Sequence, residues 1–302
     1  MQIPKSNAKL SQIISFYLTS PAFARLSASS QRDYEKNLMD VIDTTVEGKD
    51  LGDYRIDKLK VRHITQAYEL WLLKGIRAAN YRKSCLSAAW KNAMRYDVMT
   101  HNPVSLVQSV TSEPRRVIWK RDQVRTFFET AYGNFSWRNM GLIAHMAYDW
   151  GQRIGDMRVL TWDKLDLEGC QLDLTQSKRN AEVHLPISKG LCEMLAIQKE
   201  QYGFQPYVAP KPYPVAGKFV CYKKNEVATV INSILRKANL PHELTAMDLR
   251  RTAVTEMMEG GVDLVGIMQV TGHKNIQSVK PYMVNTLSGA SKALAARGND
   301  DE

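Results

Sequence analysis

One stretch breaks the rhythm of this chain. Over much of its 302 residues, apolar side chains recur every three to four positions, the spacing of amphipathic helices. Between 170 and 187 the period drops to two. Leu172 and Leu174 alternate, the turn Lys178-Arg179-Asn180 intervenes, and Val183, Leu185 and Ile187 alternate again. Alternation on both sides of a polar turn predicts a β-hairpin with Lys178 at its tip. The fold class that follows is mainly α, α+β, with a small antiparallel sheet set among helices.

Helical spacing fills the first hundred residues. Leu10, Ile13, Ile14, Tyr17 and Leu18 share a face, and Pro21 follows the helix they imply. A second helix is expected from about Ser30, striped by Tyr34, Leu38, Val41 and Ile42, with Ser30 and Asp33 as its capping pair. After a break at 48–52, Ile64, Ala67, Tyr68, Trp71 and Leu72 make a third, ending near Gly75. A fourth, about 79–96, puts Leu86, Ala89, Trp90, Ala93 and Met94 on one face. Lys83, Ser87, Lys91 and Arg95 step by four along another. Such a basic stripe can lie along a DNA groove; it can equally be a solvated helix face. His101-Asn102-Pro103 stops this unit, so residues 1–104 read as one helical domain. Residues 105–120, with Pro114 and the pair Arg115-Arg116, read as a basic linker.

A second domain is expected over 121–287. It opens with helices at about 122–132 and 136–150, the latter closed by Gly151. Beyond the hairpin come a helix at 189–202, a Pro-, Tyr- and Gly-rich surface loop or insert at 203–218, and a helix at 227–238. The tail, 288–302, holds a short Ala-rich helical piece and an acidic end.

Lys and Arg total 41 against 31 Asp and Glu, a formal charge of +10 that suits a polyanionic partner. The four cysteines, Cys85, Cys170, Cys192 and Cys221, form no C-x-x-C pair and lack a nearby His at ligand spacing. Reduced thiols, no metal and no cofactor are expected. No apolar run approaches membrane-spanning length and the first residues lack a signal-peptide core, so the cytosol is the expected compartment.

Chemistry concentrates at 247–282. Arg250 is a permanent cation with a bidentate fork, His273 follows Gly272, and Tyr282 carries a phenol able to attack phosphorus. Singly, each has an ordinary explanation. Arg250 can pair with Asp248 or Glu256, His273 can sit at a helix end, and Tyr282 can be a half-buried aromatic. Joint order changes the weighing: Arg153 in Gly151-Gln152-Arg153-Ile154-Gly155-Asp156, then Lys178 on a hairpin, then Arg250, Gly272-His273 and Tyr282.

That order resembles the tyrosine recombinase (phage integrase) family. The helical first half with its closing Asn-Pro is similar to that family's SAM-like core-binding domain, and 121–287 to its mixed α/β catalytic domain. The resemblance implies a metal- and ATP-independent recombinase. Tyr282 would form a 3′-phosphotyrosyl link, Arg153 and Arg250 would hold the non-bridging oxygens, Lys178 would protonate the leaving 5′-oxygen, and His273 would bond the phosphate. Lys83, Ser87, Lys91, Arg95, Arg115 and Arg116 are the candidate DNA contacts. The implied partners are double-stranded DNA attachment sites, sister protomers in a homotetramer on two sites, and directionality or bending proteins. The implied setting is the cytoplasm and nucleoid of a host cell, and the implied task is integration or excision of a phage or mobile element. A Xer-like resolvase and a catalytically silent DNA-binding protein are the alternatives. One position departs from the pattern: Met247 stands where the family usually writes His, and a thioether cannot shuttle a proton.

Overall fold

The computed structural model describes residues 2–113, 115–178 and 180–279, together with 290, 291, 294 and 295. The chain divides into two compact units, 1–113 and 114–302.

The first unit is built on helices α1 (Leu10–Leu18), α2 (Pro21–Ala24), α3 (Ala28–Ile42), α4 (Val61–Leu72) and α5 (Ile76–Met94). Pro21 follows α1, as expected, and begins α2. Ser20 caps it by accepting the Phe23 amide at 3.2 Å, and proline is tolerated in a first turn whose amides lack helical partners. The cap of α3 is Ser27, which accepts from the Ser30 amide, so the helix starts before the expected Ser30–Asp33 pair. A tight hairpin of β1 (Thr45–Val46) and β2 (Lys49–Asp50) turns through Glu47 and Gly48, both at positive φ as a two-residue hairpin turn requires. The long helix α5 packs against α1, α3 and α4. Its Cys85, Leu86, Ala89 and Ala93 are fully buried, and Trp90 donates its indole N–H to His101 O at 2.9 Å.

The expected linker does not run free at either end. Val104 and Val107 are buried in the first core, and Trp119 is buried in the second, with its amide donating to Thr252 Oγ1 at 2.9 Å.

In the second unit, α6 (Arg121–Tyr132) and α7 (Arg138–Asp149) precede the one-turn α8 (Ile154–Met157). Three antiparallel strands follow, β3 (Leu165–Asp166), β4 (Gln171–Thr175) and β5 (Glu182–Pro186), in the order β3-β4-β5. Leu172 pairs with Leu185 and Leu174 with Val183, all four turned to the core, while Asp173 and His184 face outward. Helices α9 (Lys189–Tyr202), α10 (Lys224–Lys237), α11 (Ala246–Glu259) and α12 (Leu264–Thr271) complete the described part. Helix α7 is central and touches α6, α8, α10 and α11.

The 203–218 segment is more than a surface insert. Val208 and Ala209 are buried, Val208 donates to Leu160 O at 2.9 Å, and buried Asn139 donates to Pro210 O at 2.8 Å. Backbone carbonyls of this segment, those of Val208 and Pro210, serve as acceptors for interior side chains. No described helix is long and apolar enough to cross a membrane.

Candidate active site

Two helix ends with the same construction deliver the first and last described groups. Helix α7 closes with Gly151 at φ +57°, the Gly151 amide bonding Tyr148 O and the Gln152 amide bonding Ala147 O. That paired pattern turns the chain sharply and presents Gln152 and Arg153 just past the helix. Helix α12 closes on Gly272 at φ +66°, and the amides of Gly272 and His273 both reach Met268 O, at 2.8 and 3.2 Å. His273 is thereby turned inward and is 6% exposed.

Between these ends lies Gln176, the residue just beyond β4, which is fully buried. Its Oε1 accepts from Arg153 Nη1 at 2.6 Å. Its Nε2 donates to Gln152 Oε1 at 2.7 Å and to Thr271 O at 2.8 Å. Arg250, 4% exposed on α11, donates from Nη2 to that same Thr271 carbonyl at 2.7 Å. One amide and one carbonyl therefore link Arg153 to Arg250.

Thr271 Oγ1 lies 2.6 Å from Ile267 O and 2.6 Å from His273 Nδ1. A carbonyl has no hydrogen, so the hydroxyl proton goes to Ile267 and the imidazole supplies the other, from Nδ1. The Nε2 edge of the ring faces Arg250 Nη2 at 3.3 Å.

Asp156, in the one-turn α8, is 3% exposed. Its Oδ1 accepts from the Ser177 hydroxyl at 2.5 Å, and its Oδ2 is 3.8 Å from Arg153 Nη1. The hairpin is thus held at 176 and 177, immediately before Lys178, whose side chain is exposed at the turn. Met247 lies in the first turn of α11 and is 70% exposed, one turn before buried Arg250. Tyr282 and most of the 288–302 tail lie outside the described residues.

Three of the expected DNA contacts have other work. Lys83 Nζ donates to Val107 O and, at 2.8 Å, to Ser109 Oγ, holding down the segment after Pro103. Ser87 Oγ accepts from Asn102 Nδ2 at 3.0 Å. Arg115 grips the buried carboxylate of Asp248 with Nε at 2.9 Å and Nη2 at 2.8 Å and also bonds Glu243 O. Lys91, Arg95 and Arg116 remain exposed. Spacing by four marks one helix face, but it cannot tell which part of that face a neighbouring segment covers.

Gln152, Gln176 and Thr271 were not singled out from sequence. A signal existed for one: 172, 174 and 176 share the inward register of the strand, and a glutamine where an apolar residue belongs implies buried polar partners. Among the described residues, no cluster of three or more His, Cys, Asp or Glu has the geometry to hold a metal ion.

Residues 119–287, more than half of the chain, match the profile described as the phage integrase family. The chain belongs to the phage integrase family. Among curated proteins, it is similar to the tyrosine recombinase XerC of Pediococcus pentosaceus, at 21% identity over 208 residues, 66% of this chain and 68% of that one. The integrase of Enterobacteria phage 434 is 26% identical over 137 residues, 45% of this chain and 37% of its own. Among solved structures, the fold of this phage integrase family member matches a lambda integrase tetramer bound to a Holliday junction, with TM-score 0.76 and 18% identity over 92% of this chain and 78% of that one. It also matches the Tn1549 transposon integrase in complex with circular intermediate DNA, with TM-score 0.72 and 18% identity over 95% and 99%. The mainly α, α+β architecture is that of these integrases.

Proposed function

We propose that this member of the family cuts and rejoins double-stranded DNA at attachment sites through a covalent link to Tyr282, integrating or excising a phage or mobile element. The observation that carries the reading is the buried link between Arg153 and Arg250, which gathers two guanidinium groups and His273 around one point. A phosphodiester resists attack because its anion repels nucleophiles and its alkoxide is a poor leaving group. Two arginines answer the first difficulty, since guanidinium stays charged and binds phosphate oxygens through paired N–H groups. Lys178 answers the second by protonating the departing 5′-oxygen. The Tyr282 oxygen bonds phosphorus as the P–O5′ bond breaks, and His273 stabilises the phosphate. Because the phosphotyrosyl link conserves the bond, rejoining to another 5′-hydroxyl needs no ATP. With arginines carrying the charge stabilisation, no metal is required either. Four protomers on two sites, with accessory bending or directionality proteins, and a cytoplasmic, nucleoid-associated setting complete the proposal. A Xer-like resolvase is compatible with the same relatives.

The deciding experiment is covalent trapping on a nicked suicide substrate carrying the cognate site, wild type beside Tyr282→Phe. A denaturation-resistant adduct that disappears in the Phe variant is the expected result. Site-specific binding without an adduct from wild type would replace recombination with silent DNA binding, the reading that Met247 favours. An adduct surviving Tyr282→Phe would mean that another tyrosine is the nucleophile.

A further inference from the structure

We propose that Gln176 is a positioning residue for strand cleavage, setting the placement of both arginine forks from a single buried amide; the inference rests on the recombinase reading above. Three of the four hydrogen-bonding directions of this side chain are occupied. Oε1 faces the Arg153 cation, and the two Nε2 hydrogens face two oxygens, Gln152 Oε1 and Thr271 O. Rotating the amide by half a turn would set its N–H groups against a guanidinium and its oxygen against two oxygens, so the orientation is unique. Gln152 is fixed in turn by donating to Trp150 O at 2.9 Å and Val270 O at 2.6 Å.

The network reaches further than its bonds to Arg153. Thr271 O has two lone pairs and takes one donor from Gln176 and one from Arg250. Thr271 also fixes the imidazole of His273 through its hydroxyl. A shift of the Gln176 amide therefore moves the acceptor on which Arg250 rests as well as the one that Arg153 holds. Close approach is built in: a Cβ at residue 272 would lie 2.7 Å from Gln176 Nε2, so only glycine admits this amide at that place. Gln176 touches no reacting atom in this scheme. It acts through the arginines, and transition-state stabilisation falls steeply when such donors are displaced by even an ångström.

The test compares full-length wild type with Gln176→Met, which keeps the volume and loses all three bonds, and Gln176→Glu, which keeps only the acceptor for Arg153. Single-turnover cleavage is read on the ordinary suicide substrate and on one with a 5′-bridging sulfur, whose thiolate departs without a proton. Both variants should bind the site with wild-type affinity and cleave either substrate at least roughly tenfold more slowly. Lys178→Ala, in contrast, should be rescued by the sulfur. Wild-type rates in either folded variant, or full rescue by sulfur, would overturn the proposal by confining the role of Gln176 to stability or to the hairpin lysine. A readout independent of cleavage is the side-chain ¹⁵N spectrum of arginine-labelled protein, with Arg153 assigned through Arg153→Lys. Restricted rotation of the Arg153 guanidinium should be lost in Gln176→Met, and an unchanged signal would sink the idea. Should wild type yield no adduct at all, the recombinase reading fails, and this spectrum still decides the positioning claim.

Discussion

Arg115 and Asp248 form a two-pronged ion pair across 133 residues of sequence, with Arg115 Nε 2.9 Å from Oδ1 and Nη2 2.8 Å from Oδ2. The carboxylate is 2% exposed and also accepts the amide and hydroxyl of Thr245, at 3.0 and 2.7 Å. One buried group thus closes the first turn of α11 and fastens the strand of chain that leads into α6. Its hydrogen bonds to the guanidinium, and then its negative charge, raise the pKa of Arg115 above the usual arginine value.

Removing the cation leaves that carboxylate buried beside fewer donors. Arg115→Ala should destabilise the 114–302 unit by about 2–4 kcal/mol, less than the roughly 3–5 kcal/mol of a fully buried pair because Arg115 is a third exposed and Arg251 stays 3.5 Å from the carboxylate. Urea unfolding, resolved into separate transitions for the two units, checks the figure. DNA affinity at fixed salt should fall more in Arg116→Ala than in Arg115→Ala. The reverse order would return Arg115 to the DNA surface.

Lys83 and its neighbours on α5 should separate in the same way. Lys83→Ala loses bonds that anchor 107–109 and should cost about 1 kcal/mol of stability while leaving the salt dependence of DNA binding unchanged. Lys91→Ala and Arg95→Ala should be neutral to stability, and each should lower the slope of log K against log salt by about one. Slopes that do not respond to either would remove this helix from the interface.

Met247→His is expected to be nearly neutral for folding, because position 247 is 70% exposed. An imidazole one turn before Arg250 would supply at this position the proton carrier that the resemblance implies and a thioether cannot provide. Single-turnover cleavage should rise by roughly tenfold or more near neutral pH, short of the roughly 10²–10⁴-fold of a fully positioned general acid or base. An unchanged rate would show that this chain handles the tyrosine proton by another route.

Burial depresses the pKa of His145 below its ordinary 6.5, an effect that nearby Asp149 only partly opposes. The ring stacks on Phe128 at 4.5 Å between centroids, and its Nδ1 is 2.9 Å from the Tyr132 hydroxyl. The unfolded state therefore takes up this proton first as pH falls. Stability from neutral His145 is complete above pH 6.5, declines as pH drops from there towards the folded pKa, and loses nothing more below it. Thermal melts between pH 7.5 and 5 should show a fall that begins as pH drops through 6.5 and is shallower in His145→Gln. Equal slopes in the two proteins would assign the acid sensitivity to other groups.

Periodicity made most of this architecture readable. The stripes of α1, α4 and α5 and the alternation of β4 and β5 each follow from a local repeat, and a repeat survives errors of a residue or two at its ends. What stayed hidden was non-local. Ser27 outcompeted Ser30 as a cap because the chain enters α3 from a turn at 25–27, which no stripe encodes. Arg115 sits among Ser, Thr and Pro and reads as a free linker charge, since its partner is far along the chain. Val208 and Ala209 lie in a segment whose composition is that of a loop, yet its carbonyls satisfy Asn139 and Gln198 in the interior. The motif residues announced themselves by order, and the glutamines between them did not, because a hydrogen-bond network has no period.

Gly272 carries a consequence for how this protein can change. With φ at +66° and the Gln176 amide filling the space where a Cβ would go, positions 176 and 272 behave as one site with two addresses. A larger residue at 272 is admissible only with a shorter one at 176, and a shorter one at 176 gives up the bonds to Arg153, Gln152 and Thr271 O. Any route of single substitutions through this pair passes first through a protein in which either the residue 272 side chain and the Gln176 amide collide or the amide that joins Arg153 to Thr271 is gone.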